Sequence, residues 1–380
     1  LQRERITGSR EIGVGKTTIW EETKMTSFNN DKSRGWTRRG FNTLVSGSVL
    51  ASAGGALLRP ALADQPKLIE EAKKEGQVAV YGDSSMVPQL VEGFKKMYPD
   101  IKVTSVPGGG WQSYNRMMSE KSAGRMVADV LCANDDTLLF GYREGVFGDL
   151  DTTAGYPKDA VSDTGYVITQ RMLTPIIYNS DAAKDLPLPK DWEDFTKFGD
   201  EWKDLIISSD PRNSGTALCV LIGLYQGLGK EKTQAILDAW KRLDTEIAPN
   251  TGVQVAKMTS GERPLTVTMH MAFYKRMREQ GAPAAFILPT SGSMMQVGAM
   301  AVPKEAPHPR AGALFIDFVM SRDGAEIMAA NGTYPSSTDE IAPAGFPARK
   351  SIKLMAAGPA DTLRDRDMVI DMWKSAMGIS

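Results

Sequence analysis

The stretch Gly13–Thr18 reads GVGKTT, and Gly15, Lys16 and Thr17 match the second half of a phosphate loop. Such a loop needs a strand, then G-x-x-x-x-G-K-[ST], then a helix. Its glycines let backbone amides wrap the phosphates, and the helix start adds its positive end. Here Arg10 occupies the first glycine position, and the preceding LQRERITGSR is too polar for a buried strand. The spacing argues against a nucleotide site. A stronger anion reader is DPRNSGTA, Asp210–Ala217. Asn213 and Ser214 precede Gly215, Thr216 and a long apolar run, so this is a helix start with amides open to an anion. Plain helix capping uses the same residues.

Other turns carry polar or aromatic groups. PGGGWQSYN places Gly109 and Trp111 after an apolar strand. Glycine there permits close backbone approach to a ligand. Trp111 either covers a solute or packs beneath its own helix. PTSGSMM offers Ser291 and Ser293, as a second binding turn or as a connector. Ser84, Ser85, Asn134 and Asp135 follow two other strands. Asp135 and Asp136 are either cation partners or helix-start residues. His270 ends a strand and is able to donate to an anion, or serves a structural role. Tyr274 is the one phenol near it. Met118, Met269, Met271, Met294 and Met295 suit a core or an adaptable apolar wall. With two histidines and two cysteines, Cys132 and Cys219, no zinc spacing exists, and no G-x-S-x-G elbow occurs. No catalytic residue, metal or cofactor is expected. Whether the two cysteines pair is open.

The segment Thr37–Gln65 reads as an export signal. Arg38-Arg39 precedes Phe41, then a soft apolar stretch from Thr43 to Leu58, then Ala61-Leu62-Ala63 as a small-x-small cleavage site. This order is that of a secretory signal, and the arginine pair gives it a twin-arginine character. The stretch is too short and too rich in Ser and Gly to span a bilayer stably. Cleavage after Ala63 would discard residues 1–63 and with them GVGKTT. Translation would start at Leu1 or Met25.

Positioning elements follow from periodicity. Helices are expected over Pro66–Glu75, Met86–Pro99, Trp111–Gly124, Asp135–Gly145, Lys230–Asp244 and Pro309–Gly332, and strands over Gln77–Gly82, Ile101–Val106, Ala128–Asn134 and Ala284–Pro289. Leu205–Gly229 reads as strand, polar turn and apolar helix, and Leu265–Gly281 as strand into helix. Strands alternating with helices argue for an α/β fold with doubly wound sheets, and ligands on such sheets bind beyond the strands' carboxyl ends. A chain of this length supports two lobes. The net charge of −1 gives no electrostatic case for nucleic acid or anionic membrane.

VAVYGDSS, VEGFKKMYPDIKV, ADVLCAND, PIIYNSD, DPRNSGTA and SRDGAEIMAANGTYP occur in this order. In that order the chain resembles periplasmic solute-binding proteins of ABC importers, in the branch of ferric-ion-binding proteins and their phosphonate and sugar-phosphate relatives. The resemblance implies a two-lobed, type II periplasmic-binding-protein fold, two doubly wound sheets joined by hinge strands. It implies lobe 1 over 64–173, lobe 2 over 174–289, a return to lobe 1 over 290–325 and C-terminal helices over 326–380. It implies a small, anionic organic solute, an ABC permease in the inner membrane as partner, a periplasmic monomer and no catalysis. Ferric-type relatives place a phosphate or carbonate at the turn matching Asn213–Thr216. Their iron ligands match Ser85, Asn134 and Met271-Ala272 here, none of which offers the anionic oxygen that ferric ion prefers. A ferric carrier and an exported enzyme on the same scaffold stay as alternatives.

Overall fold

A computed structural model describes residues 65–82, 86–150, 155–355 and 358–379, all within one compact unit, Ala56–Ser380. The leader motifs, Ser84 and Ser85 lie outside the described residues.

The chain opens with α1 (Gln65–Glu75), β1 (Gln77–Gly82), α2 (Val87–Met97), β2 (Lys102–Pro107), α3 (Gly110–Ser122), β3 (Val130–Asn134) and α4 (Asp135–Arg143). Helix α2 shows why these segments fold as they do. Pro88 sits in its first turn, and Val87, Leu90, Val91 and Phe94 form one buried stripe at helical spacing. Phe94 meets Phe315 and Phe318 at ring-centroid distances of 5.2 and 5.7 Å. Each such buried side chain contributes about 1.5–3 kcal/mol. β1 runs parallel to both β2 and β3. Gly82 ends β1 at φ +118°, and a Cβ there would lie 1.8 Å from the Cys132 carbonyl oxygen, so glycine is required.

β4 (Val167–Thr174) and β5 (Ile176–Asn179) flank Pro175, where the chain passes from one sheet to another. There follow β6 (Ile206–Ser209), α5 (Gly215–Leu228), α6 (Lys230–Arg242), β7 (Glu246–Ala248), α7 (Thr251–Ser260), β8 (Leu265–Thr266), α8 (Met271–Glu279) and β9 (Ala284–Ile287). β10 (Met294–Ala301) returns to the first sheet. Then come α9 (Pro309–Met320), α10 (Arg322–Ala330), β11 (Tyr334–Pro335) and α11 (Pro359–Met377). The six-stranded sheet has the order β11-β4-β10-β3-β1-β2, and the five-stranded sheet β7-β6-β8-β5-β9. Both are mixed rather than wholly parallel, because the crossing strands pair antiparallel: β4 with β10, and β5 with β9. Separate apolar cores flank each sheet. α11 packs against α4, α5 and α6 and so touches both lobes.

One helix expectation is corrected. Pro309–Gly332 is two helices, broken at Ser321, whose backbone is extended and whose Oγ accepts the Gly324 amide at 3.3 Å. SRDG is a helix-start signal, with Ser as cap and Asp323 in the first turn. The methionines form no single wall: Met269, Met271 and Met294 are buried in three different cores, with Met118 against a fourth. Cys132 on β3 and Cys219 on α5 stay as thiols.

Candidate functional site

The carboxyl ends of strands from both sheets feed helix starts that face one another. β2 leads through Gly108–Gly110 into α3, and β3 runs directly into α4. From the other sheet, β6 leads into α5, β7 into α7 and β8 into α8. Residues at all five helix starts line one cleft of about 870 Å³ between the lobes. Ser214 caps α5 by accepting the Ala217 amide at 3.2 Å, and Asn250 caps α7 by accepting the Val253 amide at 3.0 Å. At α3, α4 and α8 the cap residues Gly109, Asn134 and His270 make no side-chain cap bond themselves, but Gln112 Oε1 accepts the Gly109 amide at 3.4 Å and the Asp135 and Asp136 carboxyls take first-turn amides of α4. Helix-start amides not met within the helix seek an outside acceptor.

Asn134 is used across the lobes instead. Gln296 on β10 donates Nε2 to Asn134 Oδ1 at 2.8 Å, and Thr216 on α5 donates to Gln296 Oε1 at 2.7 Å. This chain ties the start of α5 to the start of α4. Below β6, a buried polar group fixes the cleft floor. Ser209 donates to Gln254 Oε1 at 2.9 Å, and Gln254 Nε2 donates to Thr266 Oγ1 at 2.6 Å and Thr268 Oγ1 at 3.2 Å. Satisfied buried polar groups of this kind hold one geometry. Asp210 is held to Arg212 by short contacts down to 2.7 Å, which shapes the turn before α5.

Trp111 both lines the cleft and packs on its own lobe. Its ring meets Tyr114 edge-on at 5.9 Å and Phe140 at 5.2 Å, and its Nε1 reaches Asp136 Oδ2 at 3.4 Å. Burial pushes the Asp136 carboxyl up, against the pull of the Thr137 amide, Trp111 and the Arg366 charge. His270 is buried, its ring 4.6 Å from that of Phe273.

Of the residues singled out by sequence, Gly109, Trp111, Asn134, Asn213, Ser214, Gly215, Thr216 and His270 come together on this cleft. Asp135 lines an adjoining cavity, where burial first and Asp136 second push its carboxyl up to about 7. Three others lie elsewhere. Tyr274 packs edge-on against Phe286 at 5.2 Å and near Phe346. Ser291 is bonded to the Asp191 carboxylate through its hydroxyl and its amide. Ser293 is 1% exposed, and its backbone pairs with Lys353 and Met355. The Pro289–Met295 turn is therefore part of the return crossing, pinned to Asp191 and the 353–355 segment, and its serines do not reach the cleft. Sequence reading missed Gln296, which has no motif, and Arg366, which arrives from α11. Asn250 and Thr251 were also missed, although APNTG after a short strand is a cap signal.

Among the described residues no group of three His, Cys, Asp or Glu side chains is placed to hold a metal ion. No helix among them is long and apolar enough to cross a membrane. Burial pushes the Cys219 thiol up to about 12, which disfavours a thiolate nucleophile.

Comparison with known proteins agrees with this architecture. The chain is similar to iron-bound HitA from Pseudomonas aeruginosa at 19% identity and a TM-score of 0.68, covering 79% of this chain and 99% of that one. It is similar to the periplasmic binding protein AfuA from Actinobacillus pleuropneumoniae, with exogenous fructose-6-phosphate bound, at 20% identity and a TM-score of 0.68, over 80% and 99% of the two chains. A substrate-binding protein of an ABC transporter from Agrobacterium tumefaciens matches at 18% identity and a TM-score of 0.69, over 79% and 94%. These likenesses show the fold, the two-lobed type II periplasmic-binding-protein fold. An uncharacterised Haemophilus influenzae protein is 25% identical over 170 residues, a match spanning 43% of this chain and 47% of that protein, so about half of its length. Residues 127–356, more than half of the chain, match the family described as bacterial extracellular solute-binding protein, and the chain belongs to that family.

Proposed function

We propose that the protein is a periplasmic receptor that binds a small anionic organic solute in this cleft and delivers it to an ABC permease of the inner membrane. One observation carries the reading: five helix starts from both lobes face one cleft, and those of α3, α5, α7 and α8 have no acidic residue in their first turn. A carboxylate or phosphate placed there takes charge-assisted hydrogen bonds, each worth about 1.5–3 kcal/mol. Each helix dipole adds ~0.3–1 kcal/mol, and more when partly buried. Two or three such bonds supply much of a micromolar affinity, about −8 kcal/mol. Asn213, Ser214, Gly215 and Thr216 take the acidic group, with Gly109, Asn134 and His270 facing it from other helix starts. Trp111, Met172 and Leu218 cover the solute's body, and Arg366 adds a cation.

A neighbour in fold carries fructose-6-phosphate, which supports an acidic, hydroxyl-bearing solute. Another carries iron. Ferric ion wants several hard anionic oxygens, yet here Asp210 serves Arg212 and Asp136 is buried against Trp111. An organic anion fits these groups better. No residue is assigned to a catalytic step. Closure of the lobes, which we divide at residues 174 and 289, converts occupancy into a signal for the permease. Export uses the twin-arginine leader of residues 1–63, and the receptor works as a monomer.

The test is mass spectrometry of solute co-purifying with the periplasmic protein, then calorimetry with that solute. A one-to-one organic anion is expected. Recovery of only a neutral or cationic solute, or of iron alone, would overturn the reading.

A further inference from the structure

The hinge ribbon has a second lined face. β4 and β10 pair antiparallel, with Met172 opposite Gln296, Arg171 opposite Val297 and Gln170 opposite Gly298. Cross-strand partners project to the same side, and successive residues to opposite sides. Gln170, Met172, Gln296 and Gly298 line the cleft described above. Arg171, Met295 and Val297 instead line the adjoining cavity of about 590 Å³. Asn134, Asp136, Gly215, Leu218 and Gln296 line both, so the bridge between the lobes and the starts of α4 and α5 form their common wall. Asp135 and Arg171 come to this rear cavity from one lobe and Leu218 and Ile222 from the other.

The rear cavity joins cations to an apolar wall. Arg171 Nη2 meets the Asp159 carboxylate at 3.0 Å and the Asp159 carbonyl oxygen at 2.6 Å. Arg349 meets the same carboxylate at 3.2 Å and also pairs with Asp339, which Lys350 reaches at 2.8 Å. Three cations thus share two carboxylates, Asp159 and Asp339. Besides Asp159, the acids lining the cavity are Asp135 and Asp136, whose carboxyls burial pushes up. The Arg171 side chain is 12% exposed, and its Nε is buried without a hydrogen-bond partner. Two guanidinium groups and the Lys350 ammonium gathered at one cavity suit an anion. The opposite wall is Leu218, Ile222, Met295 and Met355.

We propose that this rear cavity is a second ligand site, for a small carboxylate with an apolar body, read by Arg171 and Arg349. The carboxylate completes the pairing of the two guanidinium groups, and the body removes the apolar wall from water. This site adjoins the cleft on the front of the ribbon and shares a dividing wall with it, but Arg171 and Arg349 line the rear cavity alone.

Calorimetric titration of the full chain with sodium octanoate tests it, with acetate, octanol and octylamine as controls. Octanoate is expected to give a saturable one-site heat and acetate none. Leu354→Glu places a carboxylate at a rim position that is 41% exposed. It and Arg349→Gln should each weaken octanoate by about tenfold or more, or 1.4 kcal/mol. Asn213→Ala, at an exposed turn residue that lines only the front cleft, should leave octanoate affinity within about twofold. The proposal fails on any of three results: no saturable heat below about 10 mM, octanol or octylamine binding as tightly as octanoate, or loss of octanoate binding in Asn213→Ala.

Discussion

Gly215 on one lobe lies against Asn134 on the other: a Cβ at Gly215 would sit 2.3 Å from Asn134 Nδ2 and 3.2 Å from Gln296 Nε2. The start of α5 approaches the start of α4 this closely only because residue 215 has no side chain. Sequence reading attached Gly215 to the ligand; the nearest obstacle to a side chain is the opposite lobe.

Gly215→Val should therefore act as a wedge between the lobes. Solute affinity is expected to fall by about tenfold or more, near 1.4 kcal/mol. The far-ultraviolet spectrum should be unchanged, since α5 still forms from Thr216 onward. Calorimetry with the co-purified solute, alongside small-angle scattering, checks this. Unchanged affinity and unchanged scattering would mean the contact is slack.

Gln296→Leu removes both bonds of the bridge and leaves Asn134 Oδ1 and Thr216 Oγ1 without their partner. The expected cost in unfolding free energy is about 0.5–1.5 kcal/mol per bond, because the partners are half-buried at the cleft and water replaces the lost bonds in part. Urea denaturation measures it. Gln296→Glu should retain the bond from Thr216 but lose the donation to Asn134.

Stability should depend on pH through Asp135. Its folded pKa is raised to about 7, mainly by burial, above the ~3.9 of an unfolded aspartate. The folded state then binds more protons between those values, so this group's contribution lowers stability as pH rises from about 4 to about 7. Asp135→Asn is expected to raise the melting temperature at pH 8 relative to the native protein and to give little gain at pH 4. Equal effects at both pH values would show that folding does not shift the Asp135 carboxyl.

Ferric citrate titration should produce no phenolate-to-iron absorption band. Tyr274 is packed among Phe286 and Phe346, and the positions that the sequence resemblance matches to iron ligands hold Ser85, Asn134 and Met271-Ala272. A stoichiometric band would restore the iron reading.

Replacing Arg38 and Arg39 by Lys should block export, and the exported chain should begin near Asp64. N-terminal sequencing of the periplasmic fraction decides this. A mature chain that keeps residues before Ala61 would refute the leader reading.

Local chemistry was legible in the sequence wherever neighbours along the chain set it. The stripe Val87, Leu90, Val91 and Phe94 specified α2, and Ser214 before an apolar run specified the start of α5, because periodicity and capping act within a few residues. The same locality explains why SRDG, overlooked inside a long apolar pattern, breaks α9 from α10. What the tertiary structure alone decided is which turns share a space. Ser291 and Ser293 resemble binding-turn residues in composition, yet Asp191 and the 353–355 segment draw them away from the cleft. Asp135 and Asp136 are adjacent, yet the first lines only the rear cavity and the second lines both. Gln296 and Arg171 became informative only through strand register, since a shift of one residue exchanges the two faces of a ribbon. Register and lobe contact are fixed by packing between distant segments, which no short stretch of sequence records.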